Sequence, residues 1–207
     1  MQALLQRCES ERDELADWFG FHPRGRLVVF LFDDRTMREV RGSPVGGFAM
    51  LLGNAIVLAA DAGLEEVIRH ELVHLFAARW SAHARPLFNE GIAVWLQRTY
   101  GGIPIDARAL RLIGKPSPSL SPLLSPKFFF ADANRHSCYI LAGSFTGFLI
   151  RRYGVEAYRK FFRKTNASNF QNYFRKVFGV TFAKAEWQWR TELQTMAVLN
   201  RRLQARC

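Results

Sequence analysis

The sequence predicts an α+β fold with a small mixed or antiparallel sheet early in the chain and a mainly helical C-terminal part. Three observations predict it. Residues 27–32 form a near-continuous apolar run between Gly25 and the pair Asp33-Asp34, the pattern of a strand. Residues 48–52 and 55–59 are two further apolar runs separated by Gly53-Asn54, a strong hairpin signal. From Leu64 onward the apolar residues recur at three- and four-residue steps, the period of a helix.

The elements follow in order. Residues 3–18 are charged and amphipathic and predict a first helix. After the strand at 27–32, residues 41–47 carry Gly, Ser and Pro and read as a loop. The hairpin comes next, and its second strand, 55–59, is expected to be a sheet edge lining a cleft and able to pair with an extended peptide. Residues 64–80 predict a long helix with Leu64, Val67, Ile68, Leu72, Leu75 and Phe76 on its apolar stripe. Asp61 is a candidate N-cap for it, and Glu65 and Glu66 suit the positive end of its dipole. Residues 86–96 predict another helix, with Glu90 in its first turn. The Pro/Ser-rich stretch 114–127 reads as an active-site loop in preference to a domain linker. Residues 139–153 predict an apolar helix in which Ala142, Gly143, Ser144 and Gly147 permit close packing. Helices at 155–164, at 169–177 and from 183 to about 202 complete the chain. The whole is expected to be one domain over 1–207, with sheet and motif helices in 1–113, the loop at 114–127 and a helical subdomain at 128–207.

Within the helix at 64–80 lies His70-Glu71-Leu72-Val73-His74. HExxH on a helix places two imidazoles on one face, one turn apart, where both rings reach one metal ion. Glu71 can hold a water beside that metal as a general base. Glu90, in Asn89-Glu90-Gly91, is a candidate third ligand, because a carboxylate among apolar neighbours needs a cation. Three protein ligands leave the fourth position of a tetrahedral Zn²⁺ open to water, as in a catalytic site. The pattern therefore predicts zinc-dependent hydrolysis of a peptide or protein substrate. A surface helix with His and Glu at ordinary spacing is the bland reading, and the apolar stripe beside the motif argues against it. Among the other histidines, His83 lies in the connecting loop and His22 precedes a proline, leaving His136 as the competitor.

The segments His70-Glu71-Leu72-Val73-His74 and Phe88-Asn89-Glu90-Gly91-Ile92-Ala93 together resemble the gluzincin clan, in particular its small bacterial peptidase MA-like members. Residues 26–32, 47–49 and 54–58 resemble that family's early strands, and 139–154 resembles the helix that closes its site, so that the resemblance covers residues 10 to 195. It implies a zincin-like fold, with the sheet packed on the zinc-binding helix. It also implies a downstream Tyr or His that donates a hydrogen bond to the oxyanion. Tyr139 is the first candidate for that role and His136 the second. Two departures stand out. The interval from His74 to Glu90 is shorter than in the large thermolysin-like members, and Val94 occupies the position of their acidic residue one turn after the ligand Glu. Orientation of His70 or His74 then falls to another acceptor, such as a backbone carbonyl.

Composition bounds the remaining readings. No apolar run is long enough to cross a membrane, and the N-terminus lacks the continuous apolar core of a secretory signal. The expectation is a cytoplasmic protein, or an envelope or secreted one whose leader has been removed. Cys8, Cys138 and Cys207 form neither a disulfide framework nor a ligand set; Cys8 and Cys207 read as incidental thiols and Cys138 as a small apolar residue. Net charge is +11, and from residue 151 onward only Glu156, Glu186 and Glu192 oppose the basic residues. That excess suits an anionic partner on the C-terminal helices, an acidic protein or a membrane surface. No nucleic-acid-binding module is present, so specific nucleic-acid recognition is not expected. Two rivals to the hydrolase remain: a catalytically silent module that binds a partner through this basic face, and a pseudoenzyme whose cleft is closed by the 114–127 loop.

Overall fold

The computed structural model describes residues 2–41, 46–60, 63–81, 84–113 and 119–204. The chain divides into two compact units, Met1–Ala82 and His83–Cys207. This division separates the HExxH helix from the Glu90 helix, and the Pro/Ser stretch belongs to the second unit.

The first unit contains α1 (Gln2–Phe19), β1 (Val28–Phe32), α2 (Asp34–Arg41), β2 (Gly47–Met50), β3 (Ala55–Ala59) and α3 (Leu64–Ala77). The amphipathic pattern of α1 buries Cys8, Glu11, Leu15, Ala16 and Phe19 along one stripe. Cys8 is therefore a core residue and not an incidental thiol. Phe19 stacks on Phe76 at 5.2 Å and meets Trp80 at 4.7 Å, which joins the end of α1 to the end of α3. The sheet is mixed, in the order β1-β3-β2. β3 runs parallel to β1, with Val28 opposite Ala55, and antiparallel to β2, with Met50 opposite Ala55.

This order corrects one expectation. The strand at 55–59 is central and fully buried, and the edges are β1 and β2. A continuously apolar strand needs both faces covered, and only the middle position of three offers that. The hairpin forms where expected, but its turn is longer than Gly53-Asn54: Met50 is the last paired residue of β2, and Leu51 and Leu52 leave the strand. A short 3-10 turn, Leu51–Gly53, ends in Asn54 at φ 46°, a conformation that asparagine tolerates. The helix α2 follows β1 directly. Asp33 starts it by accepting the Thr36 N–H at 2.8 Å, a bond that also holds its carboxyl below the usual range. Met37 of α2 then covers Val57 and Ala59 on one sheet face, with Phe32 and Phe48 beside them.

The second unit contains α4 (Pro86–Gln97), β4 (Thr99–Tyr100), β5 (Ile103–Pro104), α5 (Ile105–Ile113), α6 (Pro126–Phe129), α7 (Arg135–Tyr153), α8 (Val155–Lys164), α9 (Phe170–Phe178) and α10 (Phe182–Gln204). Every residue of α7 from Ile140 to Ile150 is buried, as in a helix that is apolar all round and sits at the centre. The buried hydroxyl of Ser144 is satisfied: it donates to Asp106 of α5 at 2.6 Å and accepts from the Trp189 indole of α10 at 3.0 Å. Phe161, Phe170, Phe174 and Phe178 pack on one another between α8 and α9 and form core, as their helical spacing implies. Of the Pro/Ser stretch, residues 114–118 lie outside the described residues. The remainder is docked, with Leu120 and Leu123 buried. Glu186 of α10 accepts from the Leu120 N–H and the Ser119 hydroxyl, both at 3.1 Å, and pairs with Arg190.

Candidate functional site

In the first unit the HExxH segment is helical throughout, as its pattern requires. Gly63, at φ 99°, precedes α3 as its N-cap; Asp61, the expected cap, lies outside the described residues. His70 and His74 are half-buried and their Nε2 atoms are 3.1 Å apart, with the rings nearly perpendicular. Two Zn–N bonds of about 2.0–2.1 Å at the tetrahedral angle place their nitrogens roughly 3.3 Å apart. The observed separation therefore fits two imidazoles converging on one ion. Glu71 is 6 % exposed and lies between them in sequence.

What stands against Glu71 is the edge strand β2. A Cβ on Gly47 would come within 2.7 Å of the Val57 carbonyl oxygen, 2.8 Å of Val67 and 3.1 Å of Glu71 Cγ. The absence of a side chain at residue 47 is what lets β2 approach the helix at its acidic residue. The neighbour on the other side of His70 is Arg69, which is 6 % exposed. Its guanidinium pairs with Glu11 of α1, itself buried, and with Glu14 at 3.0 Å, while Arg7 bonds Glu11 at 2.6 Å. A buried charge persists only when paired in this way. The helix carrying the histidines is thus pinned to α1 by an ion-pair cluster one residue from the motif.

In the second unit Glu90 is 8 % exposed. The helix begins at Pro86 as expected, and Glu90, its fifth residue, stands at the start of the second turn and not in the first. Asn89 Nδ2 is 3.3 Å from its Oε1. Gly91, next to it, lies against α7. A Cβ there would lie 2.3 Å from Thr146 Oγ1 and 2.7 Å from the Ala142 carbonyl oxygen. Val94 is fully buried and packs against Gly143, so the position lacks an acid and serves as core. Behind α4 lies Tyr158 of α8, wholly buried, whose hydroxyl donates to the Phe88 carbonyl at 3.0 Å; burial raises its pKa.

No protein-family model, curated protein or solved structure matches the chain.

The two oxyanion candidates lie on α7 and differ in their surroundings. Tyr139 is half-buried against Phe129, ring centroids 5.3 Å apart. It precedes Ala142 and Thr146 by three and seven residues, and therefore shares the helix face that meets Gly91. His136 is exposed, and its Nδ1 lies 2.6 Å from the Tyr100 hydroxyl at the tip of the β4–β5 hairpin. Among the remaining histidines, His83 lies outside the described residues, and exposed His22 sits 3.8 Å from Asp17. Sequence reasoning missed Arg69, Tyr158 and Tyr100. Arg69 alone gave a signal, an arginine beside an apolar stripe that must find a carboxylate.

Proposed function

We propose that this protein is a zinc-dependent peptidase, zincin-like in fold, in which His70 and His74 of the first unit and Glu90 of the second hold one Zn²⁺. The observation that carries this reading is the 3.1 Å approach of the two Nε2 atoms on a regular helix, with the buried Glu71 between them. The donor set, two imidazoles and one carboxylate, is one that zinc takes with a fourth position open. When bound, the ion supplies a Lewis acid for the scissile carbonyl and lowers the pKa of water.

The chain's own residues do the rest. Glu71 accepts a proton from the attacking water and returns it to the leaving amine, so that one carboxylate serves as base and then acid. Its burial keeps it out of bulk water, where its charge would be screened. Tyr139 donates a hydrogen bond from its hydroxyl to the developing oxyanion. The edge strand β2, which stands against Glu71, offers backbone groups to an extended peptide, the role first expected of the strand at 55–59.

A second reading has its own observation. Lys160, Arg163, Lys164, Arg175 and Lys176 are exposed on α8 and α9, and the only acid on these helices, Glu156, is paired with Arg159. This face suits an acidic partner, as in a catalytically silent module. A fluorogenic peptide library separates the two. The peptidase reading expects cleavage that chelator abolishes, zinc restores and Glu71→Gln lacks. Absence of cleavage from every zinc-loaded preparation leaves the binding module.

A further inference from the structure

We infer that the end of the sheet formed by Val28, Phe30, Met50, Leu51 and Leu52 is a membrane-docking tip that inserts into the surface of an anionic bilayer. The inference is independent of the metal site.

These five residues are 42 %, 43 %, 43 %, 48 % and 107 % exposed, values that make them a patch and not scattered surface residues. The register makes them contiguous. Val28 and Met50 both lie opposite Ala55, and so flank it on the same sheet face, and Phe30 is two residues along on that face. Leu51 and Leu52 continue from Met50 into the 3-10 turn and form its outermost point. The opposite face of the sheet is occupied by α3, where Gly47 meets Val67 and Glu71. On the patch's own face Met37 covers Val57 and Ala59, toward the far end.

Charge decides which occupant the tip suits. Arg26 is exposed and borders it, with exposed Arg24 two residues before it in the chain; Asn54 of the same turn donates to the Arg26 carbonyl at 2.8 Å, and its own carbonyl accepts the Val28 N–H at 3.2 Å. The acids Asp33, Asp34 and Glu39 follow the other end of β1. A leucine pair on a projecting turn with Arg26 at its rim matches a bilayer interface, where apolar tips enter the acyl boundary and guanidinium groups stay with the phosphates. A protein socket would favour a flat or concave face over a projecting turn.

The test is co-sedimentation of the full chain with phosphatidylcholine–phosphatidylglycerol vesicles and with pure phosphatidylcholine vesicles. The wild type is expected to bind the mixed vesicles more tightly. Leu51→Ser/Leu52→Ser, at two exposed positions that leave the fold intact, should bind at least about tenfold more weakly, from the loss of two partly buried leucines. Arg24→Glu/Arg26→Glu should weaken binding to the anionic vesicles by about tenfold or more at low salt. Leu52→Trp should show quenching by brominated lipid beyond that of the wild type. Three results would overturn the inference: no vesicle binding, binding that the leucine pair does not affect, or a leucine-dependent dimer without vesicles. The last would mark the tip as a contact between two copies.

Discussion

The helix that carries the histidines and the helix that carries Glu90 differ in what holds them in place. α3 is packed against β2 at Gly47 and against α1 through Phe76 and Phe19, and a buried charge cluster is added to that packing: Arg69 reaches Glu11 and Glu14 on α1. α4 is fixed by close packing: Gly91 lies against Ala142 and Thr146, Val94 against Gly143, and Trp95 against Gly147. An ion-pair clamp works through long side chains and can be replaced by other side chains of similar volume. Packing of backbone against backbone leaves no room for replacement. The proposed metal centre would thus draw two ligands from a helix with an exchangeable ion-pair clamp added to its packing, and one from a helix held by packing.

The largest effect should come from breaking the packed side of this comparison. Gly91→Val places carbon atoms inside contact distance of the Ala142 carbonyl and the Thr146 hydroxyl, and either α4 or α7 must move. A loss above about 4 kcal/mol is expected, at the severe end for a single change. Chemical denaturation checks it; a variant as stable as wild type would mean that α4 has room to shift.

On the charged side, Arg69→Met leaves the buried Glu11 carboxylate with the half-exposed Arg7, and about 3 kcal/mol should be lost, the low end for a broken buried pair. Arg69→Met with Glu11→Leu should recover most of that loss, because both charges leave together. If the double variant is no more stable than the single one, the cluster contributes through more than its charge pairing.

Tyr139 and His136 sharpen the comparison within α7. Tyr139→Phe should lower kcat by about 10²–10³ with little change in KM, the signature of a donor used only in the transition state. His136→Ala, at an exposed residue engaged by Tyr100, should leave kcat within a few-fold. The reverse outcome would transfer the donor role to His136.

The smallest effect concerns a buried thiol. Burial pushes Cys138 up to about 11 from its ordinary value near 9. Its folded state therefore holds the proton longer than the unfolded chain does, and the protein should lose stability as pH rises from about 9 to 11. In a Cys207→Ser background, Cys138→Ser should flatten that alkaline decline in the denaturation midpoint; an unchanged slope would assign it to another group.

Helices α1, α3, α4 and α7 to α10, the hairpin and the HExxH spacing were legible because their signals are local, whereas α2, α5 and α6 were not foreseen. Helical periodicity, the Gly53-Asn54 turn and the four-residue His spacing each act within a few residues of themselves. What was not legible depends on residues far apart in the chain. The parallel pairing of β1 with β3 joins positions 27 residues apart, Val28 and Ala55, and it alone decides that 55–59 is central and β2 the edge. The residues that Gly91 packs against come from α7, some fifty residues later. The helix α2 was hidden because most of its residues are polar; Met37 is the one fully buried side chain among those described. Arg69 was passed over because its carboxylates come from α1, 55 and 58 residues away.

The central claim, that His70, His74 and Glu90 hold one zinc, is tested most directly by metal analysis after gel filtration. The account predicts about one zinc per chain for the wild type, as a single site with three protein ligands implies. Glu71→Gln should retain that zinc while losing hydrolysis, Glu90→Gln should bind it more weakly, and His74→Ala should emerge without it. A His74→Ala protein that still carries a full equivalent of zinc, or a zinc-loaded wild type that elutes without it, would contradict the account.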